Sequence, residues 1–435
     1  MRLFSITLAS RGGWGCLAAV LLPLSGRSSD WTEYRGPDNT GVTREKITTS
    51  FPAGGPKIKW KVPSANGFSS FVIAGGRCFT QELRPVENTD QEVLVARDAE
   101  TGMESWTRPL GTMKINSGGE SGANGNKGGD GPRSTPATDG RHVWTFSARM
   151  VLQCFEVKTG QEIWKRDLMK DHAGREISWM NAQSPMLEGD RIYVAGGGAG
   201  QSLLALDKKD GSVAWKAFDE KSTHATCVPA TIHGQRQVIF FVQSGLLSVE
   251  PATGRELWRY PFKYSVSTAA SPVVDGDLVY CSAGYKVGAG AARISREGNT
   301  WKATEIYRFP GDQPLANHWS TPVLHQGHLY GMFQFKEYGN GPVKCVEIAT
   351  GQVKWEKPGF GPGNVILAGN QVVALSDAGE LVVFATDPKK YTELARADVL
   401  EGKCWTTPSL SNGRLYLRST TEAACVDVSP QRAGR

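Results

Sequence analysis

The sequence predicts an all-β chain folded as an eight-bladed β-propeller, with four antiparallel strands in each blade and a ring closed by an N-terminal strand. Two repeated patterns predict this fold: a Pro-containing strand start that recurs eight times, and a Gly turn followed by Trp that recurs five times in register with it. Repeats 43 to 65 residues apart are typical of propeller blades. Because no stretch has the apolar period of a long amphipathic helix, we expect little helix.

The first pattern marks strand A, the first strand of each blade. Ser or Thr precedes Pro in most copies, a Gly follows four or five residues later, and an aromatic residue then lies on strand B. The Pro column is occupied by Phe71, Pro136, Pro185, Pro229, Pro272, Pro322, Val365 and Pro408. Two of these copies, at Phe71 and Val365, are degenerate.

The second pattern marks the turn from strand C to strand D. Gly supplies the positive φ of a tight hairpin turn, and the Thr or Asp before it can hydrogen-bond back onto the turn. The Trp four residues later lies on strand D, where its flat ring can cover the seam between neighbouring blades. The five pairs are Gly102 and Trp106, Gly160 and Trp164, Gly211 and Trp215, Gly254 and Trp258, and Gly351 and Trp355. Blade five lacks this turn, and Tyr307 replaces its Trp.

The eighth repeat stops near Val428, after three strands. The segment Lys57–Val62 precedes blade one, alternates like a strand and contains Trp60. We therefore expect it to supply strand D of blade eight. Closing the ring removes the exposed sheet edges that an open array would present.

The chain divides into a signal peptide (residues 1–29), an N-terminal segment (30–56) and the propeller (57–430). Arg2 and Arg11 precede an apolar run, Trp14–Leu24, that is too short to span a bilayer. This arrangement predicts export to the periplasm or the cell exterior with no transmembrane span in the mature chain. An uncleaved anchor is the alternative interpretation.

Composition argues against some partners and against zinc. The formal charge of +6 falls to about +3 if Arg2, Arg11 and Arg27 are removed with the signal, which disfavours nucleic acid and a membrane surface. There is no C-x-x-C pair, so zinc is not expected, and Cys154, Cys345 and Cys425 share one repeat column as buried apolar residues. We expect a monomer. The Gly-rich stretch Gly111–Gly131 is either a mobile loop or a lid over a ligand.

These motifs resemble the PQQ-type repeat of quinoprotein alcohol dehydrogenases and BamB-like proteins, over residues 57–428. The stretch Trp31–Gly41 is similar to the N-terminal segment of secreted PQQ-like repeat proteins. For a dehydrogenase, the resemblance implies PQQ on the propeller axis between a Trp and a disulfide of adjacent cysteines, with Ca²⁺ held by Glu, Asn and Asp. This chain has no adjacent cysteines and no acidic residue directly before a Pro column. Catalytic and metal-binding residues are therefore unassigned.

A ligand is expected on the face that carries the loops from strand D to strand A and from strand B to strand C. The candidate ligand-binding residues of these loops are Arg133, Asn181, Gln183, His224, Gln243, Tyr285, Asn317, His318, Trp319, Lys336, Trp405 and Arg418. Such amides, cations and aromatic rings suit a polar planar or extended ligand. Most have a structural alternative: Asn181 and Asn317 cap strand ends, the histidines are structural, the tryptophans fill the channel, and the cations are solvated.

Three functions follow from this reading. The first is a binding or assembly scaffold that holds a protein partner, or a small polar or carbohydrate ligand, at the loop face and central channel. The second is a PQQ-dependent dehydrogenase that oxidises an alcohol or sugar, with PQQ as cofactor, with or without Ca²⁺. The third is a polysaccharide-binding module. A carboxylate cluster at the channel mouth favours calcium, whereas an apolar plug favours the scaffold.

Overall fold

A computed structural model of the protein describes residues 30–113, 131–266, 268–333 and 341–430. These residues form eight blades of four antiparallel strands, arranged as an eight-bladed β-propeller, which confirms the predicted fold class. Blade seven gains a fifth strand, Val42–Thr43, which pairs parallel with its strand A. Helix in the described ranges is confined to one turn of α-helix, Leu168–Asp171, and a 3₁₀ turn, Pro37–Asn39. Neither helix is long or apolar enough to cross a membrane.

Strand A of each blade lies next to the axis, since the A strands of neighbouring blades contact one another. Strands B, C and D follow outward in sequence order. The A strands are Val72–Ala74, Ala137–Thr138, Met186–Glu188, Val228–Ile232, Val273–Asp275, Val323–His325, Asn364–Ala368 and Ser409–Ser411. The B strands are Arg77–Val86, His142–Phe146, Arg191–Ala195, Gln235–Val242, Leu278–Ala283, His328–Met332, Gln371–Leu375 and Arg414–Arg418. The C strands are Thr89–Asp98, Val151–Glu156, Leu203–Asp207, Gly245–Val249, Gly288–Glu297, Val343–Glu347, Glu380–Ala385 and Glu422–Asp427. The D strands of blades one to seven are Glu104–Thr112, Glu162–Asp167, Val213–Ala217, Glu256–Pro261, Thr300–Phe309, Val353–Lys357 and Glu393–Asp398.

Strand D of blade eight comes from the N-terminal side of the chain, as predicted. Lys57–Pro63 pairs antiparallel with Glu422–Asp427, and Trp60 lies opposite Cys425. The indole N–H of Trp60 donates to the carbonyl oxygen of Ala99 in blade one, at 3.1 Å. One strand therefore completes blade eight and joins it to blade one.

The repeated turn Gly and the repeated Trp contact each other across the seam between blades. At Gly160, φ is +70°, and a Cβ atom there would lie 2.7 Å from the ring of Trp106 in the preceding blade. The indole N–H of Trp106 donates to Val157, three residues before the same Gly, at 3.0 Å. Gly102, Gly211 and Gly254 face Trp60, Trp164 and Trp215 in the same way. Gly is therefore required for two reasons: the turn has a positive φ, and a side chain at this position would collide with the Trp ring of the preceding blade.

Blade five lacks both the Thr-Gly turn and the Trp, and the contacts across its two seams differ accordingly. Tyr307 takes the place of the Trp, and its hydroxyl donates to the carbonyl of Ile348 in blade six at 3.0 Å. Blade five has no Thr-Gly turn for the Trp of blade four to meet. The indole N–H of Trp258 instead donates to Gln237 within its own blade, at 2.7 Å.

A belt of Ser and Thr residues joins the A strands around the axis. In five places a backbone N–H of one blade donates to a hydroxyl of the next, over 2.9–3.0 Å. The accepting hydroxyls belong to Ser70, Thr135, Ser184, Thr226 and Thr321. All five residues are buried. Four of them directly precede the Pro column, so the Ser or Thr of the repeat serves to link blades.

The N-terminal segment lies on the axis, at the ends of the A strands where they turn into the B strands. It pairs with or accepts from blade one, two, three, seven and eight in turn, through Trp31, Thr32, Glu33, Val42–Thr43 and Glu45. Arg35 reaches blade six, where its guanidinium donates to the carbonyl of Thr321 at 2.7 Å. The segment therefore covers the channel on the face that carries the A-to-B and C-to-D turns.

The seven cysteines of the described residues are all buried and unpaired. Cys154, Cys345 and Cys425 lie on strand C opposite Trp164, Trp355 and Trp60. They fill the space beneath these rings as small apolar side chains, as the repeat column predicts.

Candidate binding site on the loop face

The loop face carries the D-to-A and B-to-C loops, opposite the N-terminal segment. Its centre is a cluster of rings, here called the mouth cluster: Phe68, Trp179, Tyr285, His318, Trp319 and Trp405. Ring centroids are 5.1 Å apart for Phe68 and Trp405, 4.6 Å for Trp405 and Trp319, and 4.5 Å for Trp319 and His318. Tyr285 lies 5.2 Å and Trp179 6.4 Å from the His318 ring.

The rings of the mouth cluster come from blades all around the ring: one, three, five, six and eight. Trp179 precedes blade three, His318 and Trp319 precede blade six, and Trp405 precedes blade eight. Loops from such distant blades can meet only over the axis. The cluster therefore closes the channel mouth with aromatic surface, which is the apolar plug that the sequence analysis associated with a scaffold.

Two cations lie against the faces of these rings. The Lys403 ammonium is 4.5 Å from the centroid of Trp405, and the Arg133 guanidinium is 5.8 Å from that of Phe68. Both distances are within the range of a cation–π contact. Arg133 also donates to the carbonyl of Trp179 at 3.3 Å, so it connects two ends of the cluster.

The backbone that presents Trp179 and Tyr285 is strained. Trp179 and Met180 have φ of 70° and 64°, and Tyr285 and Lys286 have φ of 54° and 65°. Left-handed conformation is rare for bulky residues, and such strain occurs preferentially at functional sites. Two consecutive pairs of this kind place rings of one cluster.

His224 fixes the Trp179 loop. Its Nε2 lies 2.8 Å from the carbonyl oxygen of Ser178, which can only accept, so Nε2 carries the proton. Burial, together with the charge of Arg133, lowers the pKa of His224 to about 4. The imidazole is therefore neutral near pH 7 and holds a loop in place. His224 therefore has the structural role that was the alternative to ligand binding.

The four predicted amides connect strand ends. Asn181 and Gln183 are buried, and Asn317 is buried as well. The amide groups donate to backbone carbonyls at 2.9–3.3 Å: Asn181 to Phe146 and Ser147, Gln183 to Ala195 and Thr223, Gln243 to Ser222, and Asn317 to Met332. The Asn317 oxygen accepts from the Tyr280 hydroxyl at 2.8 Å. Their hydrogen-bonding groups are thus directed to the scaffold.

Arg418 is buried, not solvated as the structural alternative for it assumed. Its guanidinium donates to the carbonyls of Ser69 and Gln81 at 3.0 and 2.9 Å, which links blade eight to blade one. Burial lowers its pKa to about 10, and the nearby Glu82 carboxylate opposes that shift. Lys336 and residues 114–130 of the Gly-rich loop lie outside the described residues.

Sequence reasoning missed Phe68, Trp179 and Lys403. A signal for Phe68 was available, because it stands three residues before Phe71 in the Pro column. Trp319 and Trp405 stand three residues before Pro322 and Pro408 in the same way. No repeat column predicted Trp179, which lies in a long loop between blades two and three.

The described residues do not fit the cofactor site that the resemblance implied. The sequence contains no adjacent cysteines, and its two axial tryptophans, Trp319 and Trp405, lie against each other. Within the described ranges, no group of three or more His, Cys, Asp or Glu side chains is placed to hold a metal. We therefore derive no reaction step through PQQ or calcium.

The fold and repeats define a PQQ-like β-propeller. A family model described as outer membrane protein assembly factor BamB matches residues 89–331, more than half of the chain. The chain belongs to this family. A relative with the same name, from Yersinia pestis, is 23% identical over an alignment of 295 residues that covers 65% of this chain and 70% of the relative.

Two solved structures show the same fold. BamB from Moraxella catarrhalis has a TM-score of 0.57 at 14% identity, covering 87% of this chain and 98% of its own. A quinohemoprotein alcohol dehydrogenase from Comamonas testosteroni has a TM-score of 0.63 at 12% identity, covering 94% of this chain and 82% of its own. At such identities the likeness concerns architecture alone.

Proposed function

We propose that the protein is an exported binding or assembly scaffold that acts as a monomer and holds a protein partner at the loop face. The observation that carries this proposal is the mouth cluster, in which rings from distant blades meet over the axis. Membership of a family described by an assembly factor supports the same reading.

The composition of the mouth cluster favours a protein partner over a carbohydrate. Trp, Tyr, Phe, Met and Arg are the residues enriched at protein interfaces, and Trp, Tyr and Arg dominate their binding energy. Trp179 and Tyr285 are half-buried on strained turns, and half-buried Phe218 also lies on left-handed backbone, in the loop between blades three and four. Ion pairs surround these residues, such as Arg149 with Glu176 and Arg259 with Glu220. An apolar centre with a charged rim is the usual anatomy of an interface.

Site-specific photo-crosslinking in the native host tests the proposal. A photoreactive residue at Ser178 or Lys221, both exposed on the loop face, is expected to yield a discrete protein adduct. The controls are Lys158 and Lys209, which are equally exposed on the turn face and are expected to yield none. Trp179→Ala should remove the loop-face adduct. Equal adducts from both faces would contradict the proposal.

A titration with PQQ and Ca²⁺ tests the dehydrogenase alternative. We expect no quenching of tryptophan fluorescence, no thermal stabilisation and no dye reduction with alcohols or sugars. Tight stoichiometric binding with turnover would replace the scaffold by the enzyme.

A further inference from the structure

Arg35 is a buried cation without a carboxylate partner. Its guanidinium donates to the carbonyls of Asn39, Thr321, Thr40 and Pro322 at 2.7–3.4 Å, and within the described part of the chain no acidic side chain pairs with it. Burial lowers the pKa of Arg35 to about 10. Buried charges in proteins are normally paired, because neutral acceptors do not compensate the charge.

The belt hydroxyls are potential donors beside this cation. Each of the five oxygens accepts from a backbone N–H of the neighbouring blade, which leaves its own proton to donate. Among the described residues, none of these five protons has an acceptor. Thr321 belongs to both groups, since its carbonyl accepts from Arg35 and its hydroxyl belongs to the belt. Arg35 therefore reaches the level of the belt at Thr321.

We propose that the axial channel holds a small monovalent anion, such as chloride, between Arg35 and the hydroxyl belt. The guanidinium has five N–H groups and uses four of them on carbonyls, so one remains for the anion. Water would satisfy the hydroxyl protons but would leave the charge of Arg35 uncompensated. A single negative charge matches this single cation. The site is separate from the loop-face function, because Arg35 belongs to the N-terminal segment and none of the five belt residues belongs to the mouth cluster.

Chloride titration of the purified full chain tests this site. Sodium chloride replaces sodium gluconate at constant ionic strength and pH 7, and the midpoint of thermal unfolding is measured. Because an anion that binds only the folded state stabilises it, we expect a saturable rise of about 2 °C. A linear or absent response would overturn the proposal.

Two variants assign the response. Arg35→Gln is expected to lose the chloride dependence. Arg191→Gln is the matched control, because Arg191 also donates to two backbone carbonyls, those of Pro251 and Ala252, but on the turn face. This control should retain the full chloride response. Equal chloride responses in both variants would overturn the assignment.

Bromide in crystals of the unmodified protein gives a second measurement if Arg35→Gln does not fold. Anomalous scattering is expected to place a bromide within hydrogen-bond distance of Arg35 and at least one belt hydroxyl. If bromide occupies only surface positions while the axis holds water, the proposal is wrong.

Discussion

Replacing Gly160 by Ala tests how the repeated turn joins neighbouring blades. Gly160 has φ of +70°, and its added Cβ would lie 2.7 Å from the ring of Trp106. The left-handed backbone alone costs about 1–2 kcal/mol for Ala. Displacing the ring also weakens the bond from Trp106 to Val157, worth about 0.5–1.5 kcal/mol, and its packing. Ala returns about 0.4–1 kcal/mol by restricting the unfolded chain.

Gly234 provides the matched control. Its φ is +74°, close to that of Gly160, but no atom lies within 4 Å of an added Cβ. Gly234→Ala therefore measures the backbone strain alone, and we expect it to cost about 1 kcal/mol or less. Gly160→Ala should cost about 1–3 kcal/mol more, the additional amount coming from the seam.

The assay is urea unfolding followed by far-ultraviolet circular dichroism, which does not depend on the tryptophans. A double-mutant cycle with Trp106→Leu separates the contact from the strain. The extra cost of Gly160→Ala should largely disappear in the Trp106→Leu background. If Gly160→Ala and Gly234→Ala cost the same in the unmodified protein, the seam does not depend on this contact and the reasoning fails.

Three further predictions concern charge and strain. Burial raises the pKa of Glu92 to about 7. The folded protein therefore favours the protonated carboxyl, so Glu92 stabilises the fold at acidic pH, and this stabilisation is lost as the pH rises through 7. In the Glu92→Gln variant the side-chain oxygen can still accept from the Ala148 N–H, and we expect the melting temperature to fall less between pH 5 and 8. Parallel melting profiles of the variant and the unmodified protein would contradict this prediction. Arg418→Met should cost about 3–5 kcal/mol in urea unfolding, because Arg418 is buried. Arg414→Met removes a partly exposed ion pair with Glu100 and should cost at most about 1 kcal/mol, so equal costs would refute the buried link. Lys286→Gly should raise the free energy of unfolding by about 0.5–1 kcal/mol, because it relieves a left-handed residue whose side chain is exposed; a loss of stability would show that the conformation is not strained.

The scaffold was predictable because its signals are local. A turn that needs positive φ selects Gly wherever it recurs, and the spacing from Gly160 to Trp164 fixes which strand carries the ring. The substitution by Tyr307 and the closure around Trp60 were confirmed for the same reason. What the sequence missed in the scaffold was the belt, since Thr135 or Ser184 alone is an ordinary residue before a Pro.

The candidate site was only partly predictable. His318, Trp319, Tyr285 and Trp405 were identified from their loops and do meet at the channel mouth. Asn181 is different, because its side-chain amide donates to backbone carbonyls at strand ends. The sequence does not decide between these carbonyls and a ligand as the partner of the amide. Arg418 could not be recognised as buried, since its burial results from the approach of blade one to blade eight.

The sequence by itself determined the number of blades, their strand order, the closure of the ring and the face that carries the variable loops. These features depend on turn geometry and on the spacing of apolar residues within about fifty residues, and both patterns recur in nearly every repeat. Only the tertiary structure decided that Trp179 meets His318 over the axis, and that Arg35 reaches the hydroxyl belt from below. Both contacts join parts of the chain that lie far apart in sequence and belong to no repeat column, so they arise only when the ring closes and brings opposite blades together.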